Sequence, residues 1–550
     1  MCGIWLLLSS DNKNSQGKLS LEEYQKNFNN ILGRGPDYSI LKKIDHDRNI
    51  MIGFHRLTIN GLNSGNQPFE METRYFKYYL ICNGEIYNYR QLAREYDLTL
   101  KTESDCEVLL PLYEKMDINR LVNLLDGVFA ITIIKINKET KEVTVESARD
   151  RIGVRPMFYG LSSKNKYVYI CSEMKGINNI SDRVHVFPPG HIMKCKIEDN
   201  VVNYNFTKYY DFKYIDRHIE NSEEDMFSLI RIYFEKAIKK RLLSDRPIGS
   251  LLSGGLDSSL VSSLVSKISR KKIKTFSICM EGGTDKVYSD MVAKHIKSDH
   301  YNIELTKQNF LDAINETIWA IESYDITTVR ASVGQFLVSK FISEETDVKV
   351  VMSGDGSDEV CSGYIYNYKA PSLKELHEEA ELRLKEIHLY DGLRADRATS
   401  YHGLELRVPF LDHEFVDMYM KISEKLRIPT EERMEKYLLR KAFEDENLLP
   451  NEVLWRKKEA FSDGVSSKEE SWHETIKKYI DSKITDQEFN DNKNKYNHCK
   501  PETKEAYYYR KVFCEKFSDK NADVIPKYWL PNWCNGLKEP SARALDVYNS

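Results

Sequence analysis

Up to about residue 205, apolar residues come in short runs separated by turn-forming residues: Ile4–Leu8, Phe54–Ile59, Tyr78–Cys82, Val128–Ile134, Val143–Ser147, Met157–Tyr159 and Tyr167–Ile170. Runs of this length and content predict β-strands. Apolar spacing predicts helices near Leu21–Leu32 and Cys106–Tyr113. Beyond about residue 222 the pattern lengthens into helices alternating with few strands, among them Ile248–Leu252, Lys274–Met280 and Val348–Met352. This grammar predicts an α+β domain over 1–206 and an α/β domain with a parallel sheet and many helices over 222–550. The polar stretch Thr207–Ser222 reads as a linker, and Asp481–Lys500, rich in Asp, Asn and Lys, as a surface loop.

Directly after the strand Ile248–Leu252 comes Ser253-Gly254-Gly255-Leu256-Asp257-Ser258-Ser259, and then Leu260, Val261, Leu264, Val265 and Ile268 at helical spacing. Strand, small-residue turn and helix leave backbone N–H groups at the helix start to surround an anion. Gly254 and Gly255 allow close backbone approach, and the serines add hydroxyl donors. Asp257 would repel a phosphate unless a divalent cation lay between them, which points to Mg²⁺. No G-x-x-x-x-G-K-[ST] is present, so the loop is not of the Walker type.

A second loop of the same kind, Ser353-Gly354-Asp355-Gly356-Ser357-Asp358-Glu359, follows Val348–Met352. In a parallel sheet both loops lie beyond the carboxyl ends of strands, where such folds bind ligands. Together they offer carboxylates for Mg²⁺ on pyrophosphate; the spacing does not fit an EF-hand.

The chain opens Met1-Cys2-Gly3-Ile4. With Met1 removed, the Cys2 α-amine, of pKa about 8, accepts the thiol proton, so one residue supplies nucleophile and base. Asn83 and Gly84, in Asn83-Gly84-Glu85-Ile86-Tyr87-Asn88, suit an oxyanion hole. Arg56 suits a substrate carboxylate, and Asp105 beside Glu85 a substrate ammonium. Each charged residue taken alone reads equally as a surface or helix-cap group; only the set speaks for an amino-acid site.

Bulk properties narrow the field. The 550 residues carry a net charge of −4, against the basic face that nucleic-acid binding needs. No apolar segment approaches the ~20 residues of a membrane span. Ten cysteines without a C-x-x-C pair predict reduced thiols and a cytoplasmic protein.

The first loop resembles the PP-loop of ATP pyrophosphatases, and nearly the whole chain resembles the glutamine-hydrolysing asparagine synthetases. The N-terminal part is similar to class II glutamine amidotransferases of the Ntn-hydrolase αββα sandwich fold, through Cys2-Gly3-Ile4, Arg34-Gly35-Pro36-Asp37, the Asn83–Asn88 string, Ser104-Asp105 and Ala148–Pro156. The C-terminal part is similar to the synthetase half through Tyr324–Ser332, Glu405–Asp412 and Arg456–Gly464. The resemblance implies that Cys2 attacks the glutamine amide, that Asn83 and Gly84 stabilise the oxyanion, and that Arg56, Glu85 and Asp105 hold the amino-acid end. It implies ATP on Leu252, Ser253, Gly254, Gly255, Asp257, Ser258, Ser259, Ile278, Ser353 and Gly354, with Mg²⁺ on Asp257 and Asp358. Lys458 would stabilise charge at the α-phosphate and Asp355 would act beside it. Thr327, Thr328 and Arg330 would border the aspartate and its adenylate, with Arg407 touching or supporting that site. Glutamine, aspartate and ATP are the implied partners, a homodimer the implied assembly, and an internal tunnel the implied route for ammonia.

The chain departs from the family pattern twice. Asp355 replaces the usual Glu, a side chain shorter by about 1.5 Å. Gly33 replaces the histidine common before Arg34. The same machinery amidating another carboxylate is the close alternative, though Cys2 argues against the β-lactam-forming branch. A phosphosugar amidotransferase would share the first half and lack the PP-loop. A decayed homologue serving as scaffold or sensor would have lost the charged site residues that stand here.

Overall fold

The computed structural model describes residues 1–10, 19–45, 48–162, 166–198, 201–214, 219, 222–458, 464–466 and 470–534. It divides into two compact units. The first comprises Met1–Asp211 with Ser400–Glu405 and Asp519–Val524; the second holds Phe212–Thr399, Leu406–Ser518 and Ile525 onward. The two short segments belong to the first unit although they come late in the sequence, which a reading by contiguous blocks does not anticipate.

The first unit contains strands β1 (Gly3–Ser9), β2 (Tyr38–Asp45), β3 (Ile50–Arg56), β4 (Phe69–Glu72), β5 (Phe76–Ile86), β6 (Gly127–Asn137), β7 (Val143–Arg149), β8 (Phe158–Ser162), β9 (Tyr167–Cys171), β10 (Arg183–Val186), β11 (His191–Glu198) and β12 (Val201–Lys208). They form two six-stranded sheets, ordered β10-β8-β9-β1-β3-β2 and β12-β11-β7-β6-β5-β4. The paired strands run antiparallel. Strand periodicity explains the layering. Ile4, Leu6 and Leu8 of β1 point into a common core with Ile52 and Phe54 of β3, Tyr79 and Ile81 of β5, and Ala130 and Ile134 of β6. The alternate residue Trp5 faces outward against Tyr24 and Phe28 of the helix Leu21–Asn29. On the other sheet, Tyr113 of the helix Leu109–Lys115 packs on Tyr78 and donates to Glu146 at 2.6 Å. A helix layer on each sheet makes an αββα sandwich.

The run expected over Phe54–Ile59 begins earlier, at Ile50, and ends at Arg56. Strands β2, β4, β10, β11 and β12 were not predicted; their many charged and polar positions break the apolar runs.

In the second unit, strands β13 (Ile248–Leu251), β14 (Lys274–Met280), β15 (Asp299–Leu305), β16 (Val350–Met352) and β17 (Glu405–Arg407) are ordered β15-β14-β13-β16-β17. Strands β13 to β16 pair in parallel. The order turns back between β13 and β16, the place where α/β sheets open a ligand crevice at their carboxyl ends. Helices Leu256–Ser269 and Asp285–Ile296 follow β13 and β14, while Lys307–Ile321 and Ile326–Glu345 link β15 to β16. The expected surface loop Asp481–Lys500 is largely helical: Trp472–Lys483 runs into it, and Asp486–Asn492 follows, capped by the Thr485 hydroxyl accepting from Glu488 N–H. The Asp, Asn and Gln positions lie on a solvated helix rather than in a loop, which is why their polarity resembles one. Much of the expected linker, residues 215–218, 220 and 221, lies outside the described residues. Among the described residues no helix is long and apolar enough to cross a membrane, and the cysteines are free thiols.

Asp150 holds the turn after β7. Its carboxylate accepts from the N–H groups of Ile152 (3.2 Å), Gly153 (2.7 Å), Val154 (2.9 Å), Arg155 (3.0 Å) and Phe129 (3.3 Å). Arg149 fixes the same turn from outside through the carbonyls of Gly153, Arg155 and Phe187. Asp150→Ala strands several buried donors and is expected to cost about 3 kcal/mol of stability, read from the urea unfolding curve.

Candidate active site

Two clusters of chemistry-bearing residues form, one in each unit. In the first, Cys2 precedes β1 and Asn83 sits in β5. The Cys2 N–H donates to Asn83 Oδ1 at 2.9 Å, while Asn83 Nδ2 is buried with no hydrogen-bond partner. A buried donor left open beside a thiol suits an oxyanion. Burial pushes the Cys2 thiol up to about 11 and lowers the Met1 α-amine while Met1 is in place. Gly84 stands opposite Phe129 of β6, so near that a Cβ would fall 2.4 Å from the Val128 carbonyl oxygen.

Arg34, quoted in a motif but given no role from sequence, fixes the backbone of Cys2. Its Nε donates to the Cys2 carbonyl at 2.9 Å and its Nη1 to Glu173 at 2.5 Å, with both side chains buried. Gly33 is explained by the neighbouring chain: a Cβ there would lie 2.5 Å from the Tyr401 carbonyl oxygen.

Arg56, Glu85 and Asp105 come together around the turn 60–66. Arg56 Nη2 donates to the carbonyls of Asn60 (3.1 Å), Gly61 (2.9 Å) and Ser64 (2.7 Å), and its Nη1 donates to Asn66 Oδ1 at 2.7 Å. The guanidinium thus holds the turn 60–66 in place in addition to supplying positive charge. Glu85 accepts from Asn60 Nδ2 at 3.0 Å, and Asp105 from the Ile86 N–H at 2.6 Å.

In the second unit a cavity of about 320 Å³ opens at the switch point. Leu252, Ser253, Gly255, Asp257, Ser258, Ile278, Thr327, Ser353, Gly354, Asp355, Asp358 and Lys458 all line it. The two loops touch: a Cβ on Gly354 would lie 2.7 Å from Ser258 N and 2.9 Å from the Asp257 carbonyl carbon. The Ser258 hydroxyl serves the loop itself, accepting from Ser253 N–H at 3.1 Å. Gly254 turns with φ +78°, and its carbonyl accepts from Arg456 at 3.1 Å.

The residue that sequence reading missed is Lys436. Its ammonium sits 2.6 Å from Asp257 and 2.5 Å from Asp358, with Lys458 2.6 Å from Asp358 on the other side. Burial would raise the Asp358 pKa, but the ammonium groups of Lys436 and Lys458 outweigh it and hold the carboxyl below its usual range. Those carboxylates hold Lys436 above its ordinary value against the opposing effect of burial. Lys436 adopts φ +59° in the left-handed region, and Gly363 leaves the room its side chain takes, since a Cβ there would meet Lys436 Cε at 2.0 Å. Nothing local in Glu435-Lys436-Tyr437 announces this.

Around Asp355 a second network was also unread. Arg394 donates to Asp355 Oδ1 at 2.9 Å, Asp391 Oδ1 at 2.8 Å and Gln335 Oε1 at 2.8 Å. Ser353 Oγ donates to Asp355 Oδ2 at 2.5 Å. Glu359 is pushed up to about 8 by burial and by Asp391 and Asp358, and accepts from Tyr364 Oη at 2.7 Å.

Other expected residues stand apart from the cavity lining. Arg330 is buried against Glu505, donating at 2.8 and 2.6 Å, and lies 2.7 Å from His473 Nδ1. Thr328 bonds the capping carboxylate of Asp325. Arg407 donates to the carbonyls of Arg241 and Leu243 at 2.7 and 2.6 Å, a supporting role. Ser259 is buried behind the loop with its hydroxyl unpartnered. In Arg456–Gly464, residues 459–463 lie outside the described residues.

A divalent cation fits this donor set only in part. Asp257 Oδ1 is buried and unpartnered, and oxygen donors suit Mg²⁺. Among the described residues no group of three or more His, Cys, Asp or Glu could hold a metal. Asp257 and Asp358 would therefore share the ion with phosphate oxygens, as Mg²⁺ sites commonly do.

The family model described as "Asparagine synthase" matches residues 229–376 and 368–535, and that described as "Glutamine amidotransferase domain" matches 1–186. Over 574 aligned residues, covering 100% of this chain and 99% of the relative, the chain is 42% identical to the asparagine synthetase [glutamine-hydrolyzing] of Gallus gallus. The Homo sapiens protein of that name is 40% identical over 573 residues, with the same coverage. Among solved structures, the glutamine phosphoribosylpyrophosphate amidotransferase from B. subtilis matches 50% of this chain and 65% of its own at 15% identity, with a TM-score of 0.30 that carries no argument.

Lys436→Met leaves two facing, part-exposed carboxylates without their shared cation, with Lys458 still beside Asp358, and is expected to cost about 1–3 kcal/mol. A urea midpoint equal to that of the unchanged protein would refute the bridging role.

Proposed function

The chain belongs to the glutamine-hydrolysing asparagine synthetase family, and from that premise we propose how its residues divide the reaction. The enzyme is a ligase that forms L-asparagine from L-aspartate and L-glutamine with ATP, releasing glutamate, AMP and pyrophosphate. Residues 1–206 form the glutaminase domain and 222–550 the synthetase domain.

In the glutaminase domain, removal of Met1 leaves the Cys2 α-amine where its amide nitrogen now meets Asn83. That amine takes the thiol proton, and Cys2 Sγ attacks the glutamine side-chain carbonyl. Asn83 Nδ2 and the Gly84 N–H donate to the oxyanion. Asp105 and Glu85 receive the glutamine ammonium, and Arg56 its carboxylate. Ammonia leaves, and water releases glutamate from the thioester.

In the synthetase domain, ATP lies over Ser253–Ser259 with Ile278 and Leu252 beside the base. The aspartate side-chain carboxylate attacks the α-phosphorus, and pyrophosphate departs. Mg²⁺ bound to Asp257 and Asp358 would neutralise charge on the departing pyrophosphate. Lys458 and Lys436 place two further positive charges beside it. Ammonia then displaces AMP from β-aspartyl-AMP, with Asp355 held beside the acyl group by Arg394. The observation that carries this reading is Gly354 seated on the Asp257–Ser258 backbone at the switch point, with Asp257 Oδ1 unpartnered. Free thiols suit a reducing cytoplasm, and a homodimer is the expected assembly.

Cys2→Ala is expected to abolish synthesis from glutamine and preserve synthesis from added ammonia. Loss of both in a folded protein would break the division of labour. An intact mass lacking Met1 is expected; retention of Met1 would block the α-amine step. Asp257→Ala is expected to cut pyrophosphate release at least about tenfold with either nitrogen source, and unchanged release would remove Asp257 from the site.

A further inference from the structure

The last described stretch of chain carries no motif that the sequence brought out, yet Trp529 and Pro531 line the same cavity as Asp257, Asp358 and Lys458. Buried polar groups pin this stretch along its length. The Trp529 N–H donates to Asp325 Oδ1 at 2.7 Å, Tyr390 Oη to the Lys527 carbonyl at 2.8 Å, and Arg383 Nη2 to the Leu530 carbonyl at 2.9 Å. Asn532 Nδ2 donates to Glu379 at 2.5 Å.

The anchoring carboxylate is itself part of the site's frame. Asp325 caps the helix Ile326–Glu345, from which Thr327, Ala331 and Gln335 face the cavity. Trp529 is 8% exposed. Its ring stands 5.4 Å from the Tyr364 ring and 6.2 Å from Tyr366, with the Arg383 guanidinium 4.7 Å above it. Tyr364 in turn donates to Glu359. A non-helical segment near a chain end ordinarily frays. Here an aromatic side chain is fixed by backbone bonds, aromatic packing and a cation at the edge of a reacting cavity.

An acyl phosphate is open to water as well as to ammonia, and water is in vast excess. We propose that Trp529 is a positioning residue that closes the Tyr364–Glu359 side of the cavity to water, so that the activated aspartate is consumed by ammonia. The inference rests on the ATP-dependent reading of this cavity. The reaction it suppresses is addition of water to the β-carbonyl carbon of β-aspartyl-AMP. The carbonyl carbon–oxygen bond to AMP then breaks, giving aspartate and AMP, and both protons of the water are released as the new carboxylate and the AMP phosphate ionise near neutral pH. ATP is spent and no asparagine appears.

The test compares asparagine formed with pyrophosphate released, at saturating ATP, aspartate and ammonium. The unchanged enzyme is expected to release about one pyrophosphate per asparagine, and Trp529→Ala at least about twice as many, with Trp529→Phe restoring the ratio. A folded Trp529→Ala enzyme that stays coupled, or that releases no pyrophosphate, would overturn the proposal. Should Trp529→Ala lose its thermal transition, Trp529→Phe carries the test by fluorescence. The chain has six tryptophans, and the emission change on adding ATP and aspartate is expected to be larger in the unchanged enzyme than in Trp529→Phe. Equal changes would overturn the proposal. An unchanged enzyme releasing no pyrophosphate at all would fail the parent reading, an outcome visible before any variant is made.

Discussion

One ammonium between two carboxylates organises the synthetase site. Asp257 on the first loop and Asp358 on the second both point at Lys436, and without that cation the two loops would repel as Gly354 settles onto Ser258. Buried charges of one sign do not tolerate such proximity. The parallel pairing of β13 with β16 sets the loops side by side, and Lys436 makes the arrangement electrostatically possible. Asp257 keeps its Oδ1 without a hydrogen-bond partner, the oxygen that the proposed mechanism would offer to Mg²⁺.

What could be read from the chain follows the range of the interactions. Strand β1 and the helix after Ser253–Ser259 are legible because their apolar spacing and small-residue turn are local. The loops' adjacency followed from the rule for parallel sheets. Lys436, Arg394, Gln335 and Trp529 were not legible. Each reaches the cavity through contacts across scores or hundreds of residues, and each sits in an ordinary-looking string. Strands such as β11 and β12 were missed for a different reason: one face is wet, and lysines and asparagines interrupt the pattern. Arg330 and Arg407 stand in telling motifs, yet Arg330 is paired with Glu505 and Arg407, expected to touch or support the site, anchors the surrounding backbone.

The glutaminase pocket is built by constraint of the backbone more than by abundance of donors. Arg34 holds the carbonyl of Cys2 and Asn83 holds its nitrogen, so the nucleophile is gripped on both sides of its α-carbon. The same bond to nitrogen orients the Asn83 amide and leaves Nδ2 available. On the proposed mechanism, one hydrogen bond would both place the Cys2 thiol and ready the amide donor for the developing charge.

Gly33 shows how a small residue can restrict the later history of a protein. The Tyr401 carbonyl occupies the volume that any β-carbon at position 33 would need. A larger side chain at position 33 requires the backbone at Tyr401 to shift, because a backbone oxygen does not yield as a flexible side chain would. The strand-leading segment near Tyr401 would have to be redrawn first. Any side chain at position 33 therefore has to be matched by a backbone change at Tyr401, so the two places can vary only together.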